Sequence, residues 1–379
     1  MKLFEYEGKQ IFREYALNVP NGQVCCTPDE VRACFAKMGA GVLKSQVLQG
    51  GRGKAGGIRF PHNAEEAYRL SAELFDQGLK QEPVRRLLVE EKVNIGKEFY
   101  LSISFDPRRG LPIIMASAAG GVDIEEVSRN QPSMLIREYV DLFLGCSPFL
   151  ARKIAFALVP DSELAAKVAQ LISTLYQIFV DYDAELVEIN PLVVTKENEL
   201  IVLDSKIIIN DNAVFRQKEF TNNPDRFSHA FEYQAAEYGF NYVKLDGDIG
   251  VLCTGAGLTM TTLDLIDYYG GKAANFLEFG GATYQNSHKA LNLVLNDSAV
   301  KVVLINTFGL VARADVISVG LVEALTELKP SVPIICSIRG TGQEAARENM
   351  AQLGLHPCRN VEEAVQRAVA IAKGKGAGA

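Results

Sequence analysis

The hydrophobic rhythm of the chain changes near residue 235, and that change constrains the fold more than any single motif. Beyond it, apolar strand-like segments near 249–253, 274–278, 300–306, 332–338 and 355–358 alternate with helical stretches near 258–269, 284–295, 313–327, 342–353 and 360–372. Strict strand–helix alternation predicts a parallel sheet covered by helices on both faces. Before it the pattern is mixed. An amphipathic helix and a turn occupy 1–22, and Thr27-Pro28-Asp29 opens a helix to 38 as a cap followed by proline. Strands are expected at Val42–Val47, Leu87–Glu90, Glu98–Phe105 and Pro112–Ser117, with helices near 64–79, 149–158 and 162–181. Hairpins with intervening helices predict an α+β domain with an antiparallel sheet. The expected domains are 1–235 and 236–373, parted within the polar stretch Gln217–Glu237, with a disordered tail at 374–379.

The first domain ends in its most informative segment. Two runs rich in leucine and β-branched residues, Glu188–Thr195 and Glu199–Lys206, flank the polar turn Lys196-Glu197-Asn198. This is a hairpin signal, and Asn198 accepts the left-handed conformation such a turn requires. A turn centred on Glu197 places Asn190 opposite Asp204 and Glu188 opposite Lys206, all on one face. Opposed side chains stand ~4.5–5.5 Å apart at Cβ, so a carboxylate and an amide oxygen there can share a small hard cation such as Mg²⁺. The alternative is a solvated sheet face. Against it, Leu192, Val194, Leu200 and Val202 follow on the same face, confining the polarity to one end.

A second feature is Gly50-Gly51-Arg52-Gly53-Lys54-Ala55-Gly56-Gly57, with five glycines and two cations in eight residues. Glycines admit close backbone approach and expose N–H groups, and the cations favour a polyphosphate. The loop lacks the Walker A pattern, and a mobile surface loop reads equally well. Lys44 lies mid-strand just before it, either fixing phosphate charge or, as a lysine in an apolar strand more often does, snorkelling to solvent or forming a salt bridge. Glu90 and Glu98 are candidates for holding a ribose or base amine, although Glu91, Lys92 and Lys97 leave simple surface pairing open.

In the second domain, Gly255-Ala256-Gly257-Leu258-Thr259-Met260 nearly matches a dinucleotide fingerprint, but Met260 replaces its third glycine. Loops at 279–283 and 306–310 also follow strands, so three helix N-termini are expected at one sheet edge, where anions bind. The formal net charge of −7 argues against nucleic acid as a partner. No apolar run approaches membrane-spanning length, and the N-terminus lacks a secretory pattern. Seven cysteines without C-x-x-C or zinc spacing predict reduced thiols in a cytoplasmic protein.

Together, Leu3–Gln10, Gly50–Gly57, Glu188–Leu192, Leu203–Lys206 and Asn212–Gln217 resemble the beta subunits of ADP-forming succinate–CoA ligases (succinyl-CoA synthetases), essentially from end to end. The resemblance implies an ATP-grasp domain followed by a flavodoxin-like CoA-ligase domain. It also implies an alpha subunit that carries the phosphorylated histidine and the CoA site, in an αβ or α2β2 assembly. Carried over by position, Lys44, Gly51, Arg52, Gly53, Glu90, Val93 and Glu98 would bind ATP or ADP, and Asn190 and Asp204 would hold Mg²⁺. Glu188 would be the catalytic residue that orients the phosphohistidine. The carboxylate would meet Thr254, Gly309, Leu310 and Val311. Here the chain departs from the family pattern. Thr254 stands for asparagine, Gly309-Leu310-Val311 for Gly-Gly-Ile, and Gly280-Gly281 for a three-glycine loop. Three readings follow: a ligase for succinate or a related acid such as malate, a nucleotide-binding regulatory subunit with weak catalysis, or an ATP-grasp carboxylate–amine ligase, which the second domain disfavours.

Overall fold

The computed structural model describes residues 1–80, 82–221, 223–279, 286–310 and 312–374. Two compact units result, Met1–Asn223 and Pro224–Ala379. The division falls earlier than the 235/236 boundary expected from sequence. The helix at 230–237 accounts for the difference, because Ala235 is buried with Phe240 and Tyr242 in the core of the second unit.

The first unit begins with α1 (Glu5–Glu14), β1 (Gly22–Cys25), α2 (Pro28–Met38), β2 (Gly41–Ser45), β3 (Ile58–Arg59), α3 (Ala64–Gln77) and β4 (Leu87–Glu91). As the sequence predicts, Pro28 opens α2 and the Thr27 hydroxyl caps it by accepting from Glu30 N. The strands form an antiparallel sheet in the order β1-β4-β2-β3. Val31 and Phe35 of α2 and Ala67 and Leu74 of α3 pack against Leu43, Leu87 and Val89.

The unit continues through β5 (Ile95–Asp106), β6 (Leu111–Ser117), α4 (Ile124–Asn130), β7 (Leu135–Tyr139), α5 (Pro148–Leu158), α6 (Ser162–Asp181), β8 (Ala184–Thr195), β9 (Leu200–Val202) and β10 (Lys206–Ile209). These strands form a second antiparallel sheet, β10-β8-β5-β6-β7, with β9 also paired to β8. Ser147 and Asp161 cap α5 and α6, whose apolar faces cover this sheet. Ile11 and Phe12 seat α1 in the same core.

The second unit holds α7 (Ala230–Glu237), β11 (Asn241–Lys244), β12 (Ile249–Cys253), α8 (Ala256–Tyr268), β13 (Asn275–Glu278), α9 (Ser287–Leu295), β14 (Val302–Gly309), α10 (Ala314–Leu328), β15 (Ile334–Gly340), α11 (Gln343–Ala351) and α12 (Val361–Ala372). The sheet order is β11-β13-β12-β14-β15, parallel except at β11. Its four parallel strands run second-first-third-fourth, the flavodoxin-like order. Alternate residues face opposite layers. Val303 and Ile305 pack with α9 and α10, and Val302 and Leu304 with α12.

Two expectations fail locally. Residues 355–358 form no strand, because a single bond from Cys358 N to Cys336 O does not make a ladder. The antiparallel edge strand β11 was not anticipated; its four residues are too few to show a period. The tail residues 375–379 lie outside the described residues.

Candidate active site

The hairpin register is the one the turn predicts. Leu192 pairs with Val202 and Val194 with Leu200, and farther along Glu188 pairs with Lys206. Asn198 takes the left-handed conformation at φ 67°. Between the paired stretches the ladder opens around Asn190 and Asp204, which the flanking register places opposite one another, and Leu203 N donates to Pro191 O there. Asn190 Oδ1 accepts from Gly121 N at 2.8 Å and its amide donates to Val122 O at 3.0 Å, which orients the side chain. Asp204 Oδ1 accepts from Ser205 N at 2.8 Å and from Arg52 at 2.9 Å.

Arg52 draws Asp204 into a buried charge network. Three cations (Lys9, Lys44 and Arg52) meet three carboxylates (Glu5, Glu90 and Asp204). Lys44 bonds Glu90 at 2.7 Å, Glu5 at 3.0 Å and Leu203 O at 2.8 Å. It is therefore buried and paired and does not snorkel. Glu90 is held by Lys44 and Lys9, which removes the surface-pairing alternative; that role falls to Glu91, bonded to Asn21. Arg52 also reaches Glu5 and Ser45 O.

The electrostatics follow from this packing. Burial alone would push the Glu5 carboxyl up, but Arg52, Lys44 and Lys9 outweigh it and hold Glu5 well below the usual carboxylate range. Burial likewise disfavours charged Lys44 and Arg52, yet Glu5 and the neighbouring carboxylates overcome it and raise both. Lys9 goes the other way, lowered by burial with the Lys44 charge beside it. Burial raises the Asp204 carboxyl despite Arg52.

The glycine loop is more folded than its composition implies. Ala55 N, Gly56 N and Gly57 N donate to Gly51 O, Gly53 O and Arg52 O, closing turns within the loop. Gly51 has φ 73°, a conformation that favours glycine. Gly53 is exposed, and Val93 and Glu98 are half-buried around the β4–β5 connection. The Glu98 carboxylate lies so near Gly121 that a Cβ there would meet Oε2 at 2.9 Å.

Glu188 stands apart from this buried network. Tyr100 donates to Glu188 Oε2 at 3.3 Å, and Lys206 lies 3.9 Å from Oε1. Burial raises the Glu188 carboxyl, opposed by Lys206 and Tyr100. It also raises the Tyr100 hydroxyl, helped by the Glu188 charge. A carboxylate held this way can accept a proton or orient an imidazole.

In the second unit, the Thr254 hydroxyl accepts from Phe308 N at 3.0 Å, tying the end of β12 to the end of β14. Gly309 O accepts from Thr341 N at 2.9 Å, and a Cβ on Gly309 would lie 2.4 Å from Ala314 N. Leu310 is 73% exposed just before α10. Val311, Gly280 and Gly281 lie outside the described residues. None of the four histidines lies in a glycine-rich loop. His229 caps α7, His288 sits in α9 beside Glu327, and His62 and His356 lie in short exposed connections.

Sequence reasoning missed Glu5 and Lys9 as site residues. The available signal was two charges on the α1 stripe that also carries Phe12, a face otherwise committed to the core. Tyr100 and Gly121 were missed as well. Their roles depend on the neighbouring strands and leave no local pattern.

An ATP-grasp unit joined to a flavodoxin-like CoA-ligase unit defines the class: residues 2–194 match the ATP-grasp domain family and residues 252–371 the CoA-ligase family. The ADP-forming succinate–CoA ligase subunit beta of Pyrobaculum islandicum is 41% identical, covering 98% of this chain and 100% of its own length. The ADP-forming sulfoacetate-CoA ligase subunit SauC of Bilophila wadsworthia is 43% identical, covering 99% of this chain and 100% of its own. The ATP citrate lyase of Methanothrix soehngenii superposes with a TM-score of 0.75 at 21% identity, over 98% of this chain and 99% of that one, a likeness of fold. The chain belongs to the family of ADP-forming succinate–CoA ligase beta subunits, which are acid–thiol ligases.

Proposed function

We propose that the chain is the nucleotide-using beta subunit of a ligase that converts ATP, CoA and a small dianionic acid to ADP, phosphate and the acyl-CoA. The convergence of Lys44, Glu90, Arg52 and Asp204 in one buried network carries the reading, because this chain keeps its phosphoryl-transfer charges while its carboxylate loops differ. Lys44 and Arg52 would bind the polyphosphate beside the backbone of Gly51 and Gly53. Val93 and Glu98 would line the nucleoside, and Glu90, 1% exposed with its oxygens on Lys9 and Lys44, would serve the nucleotide through Lys44. Asn190 and Asp204 fit Mg²⁺: both offer hard oxygen, Asn190 Oδ1 has a second lone pair beyond its bond to Gly121, and Asp204 Oδ2 takes no hydrogen bond among the described residues. The ion, when bound, neutralises phosphate charge.

Glu188 would orient a histidine of a partner alpha subunit, the residue that takes the phosphoryl group from ATP and passes it to the carboxylate. The CoA thiol then displaces phosphate from the acyl phosphate. The helix termini after β12 and β14 would stabilise negative charge on the acid. No helix among the described residues is long and apolar enough to cross a membrane. The chain would work in the cytoplasm as part of a hetero-oligomer with its alpha subunit.

The acid is the open specificity. Thr254 Oγ1 accepts from Phe308 N while its O–H remains a donor, and Leu310 adds an exposed branched side chain where the family pattern has glycine. Both changes favour an acid other than succinate; sulfoacetate, named for two relatives, and malate are the short dianions to compare. The test is co-expression with the neighbouring alpha subunit and an ATP- and CoA-dependent thioester assay across succinate, malate, sulfoacetate and citrate. Thioester from one dianion supports the reading. Histidine phosphorylation without thioester from any acid would favour the regulatory reading, for which Leu310 is the specific observation.

A further inference from the structure

Glu5 is the point at which the buried cations of the first unit meet. Its carboxylate bonds Lys9 at 2.7 Å, Lys44 at 3.0 Å and Arg52, and Gln46 reaches it at 3.4 Å. The residue is 4% exposed. It is carried by α1, whose Ile11 and Phe12 are anchored in the core of the larger sheet. Lys44 and Arg52 are carried by β2 and the glycine loop of the smaller sheet. One carboxylate from one layer thus sets the place of two cations in another.

We propose that Glu5 is a positioning residue for the nucleotide, holding the Lys44 ammonium and the Arg52 guanidinium where the polyphosphate meets them, with Lys9 fixing Glu5 in turn. The proposal rests on the reading that Lys44 and Arg52 bind nucleotide.

Glu5 completes the charge count, because Lys9 and Lys44 share Glu90 and Arg52 has Asp204, but its contacts go further than the count. Among the described residues Glu5 is the one carboxylate that touches all three cations, and it ties the loop-borne Arg52 to Lys44. When the metal ion takes Asp204, Glu5 is the carboxylate left to hold Arg52 in place. Phosphate oxygens then meet a guanidinium already oriented, which removes an ordering cost from binding.

The experiment measures ADP affinity in the presence of Mg²⁺ on the full chain, together with its melting temperature, for wild type, Glu5→Asp, Glu5→Gln, Arg52→Met, Lys44→Met and the Glu5→Gln/Arg52→Met double variant. Glu5→Asp keeps the charge but withdraws it by one methylene. It should melt like wild type yet weaken ADP severalfold. Glu5→Gln and Arg52→Met should each weaken ADP about tenfold, and the double variant should be no weaker than Arg52→Met alone, because the two act as a unit. Wild-type affinity in Glu5→Asp, or losses that multiply in the double variant, would overturn the positioning role. Should Glu5→Gln fail to fold, the Glu5→Asp comparison still decides. Wild-type affinity in both Arg52→Met and Lys44→Met would instead overturn the nucleotide reading beneath it.

Discussion

Lys9 offers the sharpest test of the buried network. Its side chain is wholly buried and bonds Glu5 at 2.7 Å and Glu90. Lys9→Met removes a charge but leaves a chain of similar reach, so two cations face three carboxylates. Breaking a buried ion pair costs about 3–5 kcal/mol, because the abandoned partner stays desolvated. Here both abandoned carboxylates retain Lys44, at 3.0 and 2.7 Å, which places the cost near the lower end. A loss of about 3 kcal/mol lowers the folded-to-unfolded ratio roughly a hundredfold. Urea unfolding of the full chain, followed by circular dichroism because the chain has no tryptophan, reads the loss. Amide exchange in β2 and β4 localises it. Adding Glu90→Gln to Lys9→Met restores the balance of charge, so the double variant should recover part of the stability. A cost below about 1 kcal/mol, or a second loss simply added by Glu90→Gln, would refute the view that charge pairing holds this layer together.

The remaining tests address the site. Glu188→Gln should abolish turnover yet raise stability at neutral pH. Burial raises the folded-state carboxyl above its unfolded value, so ionised Glu188 costs stability. The gain should be absent below the unfolded carboxylate range, grow as pH rises through the raised folded value and stay constant above it; equal gain at every pH would contradict the assignment. Arg52→Met should weaken ADP but strengthen nucleotide-free Mn²⁺ binding severalfold, because Arg52 shares the Asp204 carboxylate with the proposed metal. Asp204→Asn should lower Mn²⁺ affinity with or without ADP, as read by electron paramagnetic resonance. Gly309→Ala puts a Cβ 2.4 Å from Ala314 N and should cost about 1–3 kcal/mol in urea unfolding.

The parallel sheet was legible because apolar runs alternate with helices, which brings each strand back in the same direction, although that alternation does not fix the strand order. The hairpin register was legible because its turn needs one left-handed residue, Asn198, and side chains alternate from there. The strand β11 was not, since an edge strand of four residues carries too little pattern. The charge network was half legible. Lys44, Arg52 and Glu90 stood out as charges near glycines or within apolar strands, but their partners Glu5 and Lys9 sit on an ordinary amphipathic helix. Nothing local says that such a helix turns a charged stripe inward; the reason lies in β2, a separate element.

That asymmetry bears on how the chain departs from its relatives. A change at Thr254 or Leu310 affects a loop end whose neighbours are mostly backbone: Phe308 N for Thr254, and open solvent for much of Leu310. Such positions can change without unbalancing a buried charge. Lys44 or Glu5 cannot, because each is held by two or more buried partners and its loss strands them. Variation in the proposed acid loops together with an unchanged charge network is therefore what the packing permits. On this argument, Leu310→Gly should alter the preferred acid or its KM while leaving ADP affinity and the unfolding midpoint unchanged. A variant that lost ADP binding as well would show that the two units do not vary independently.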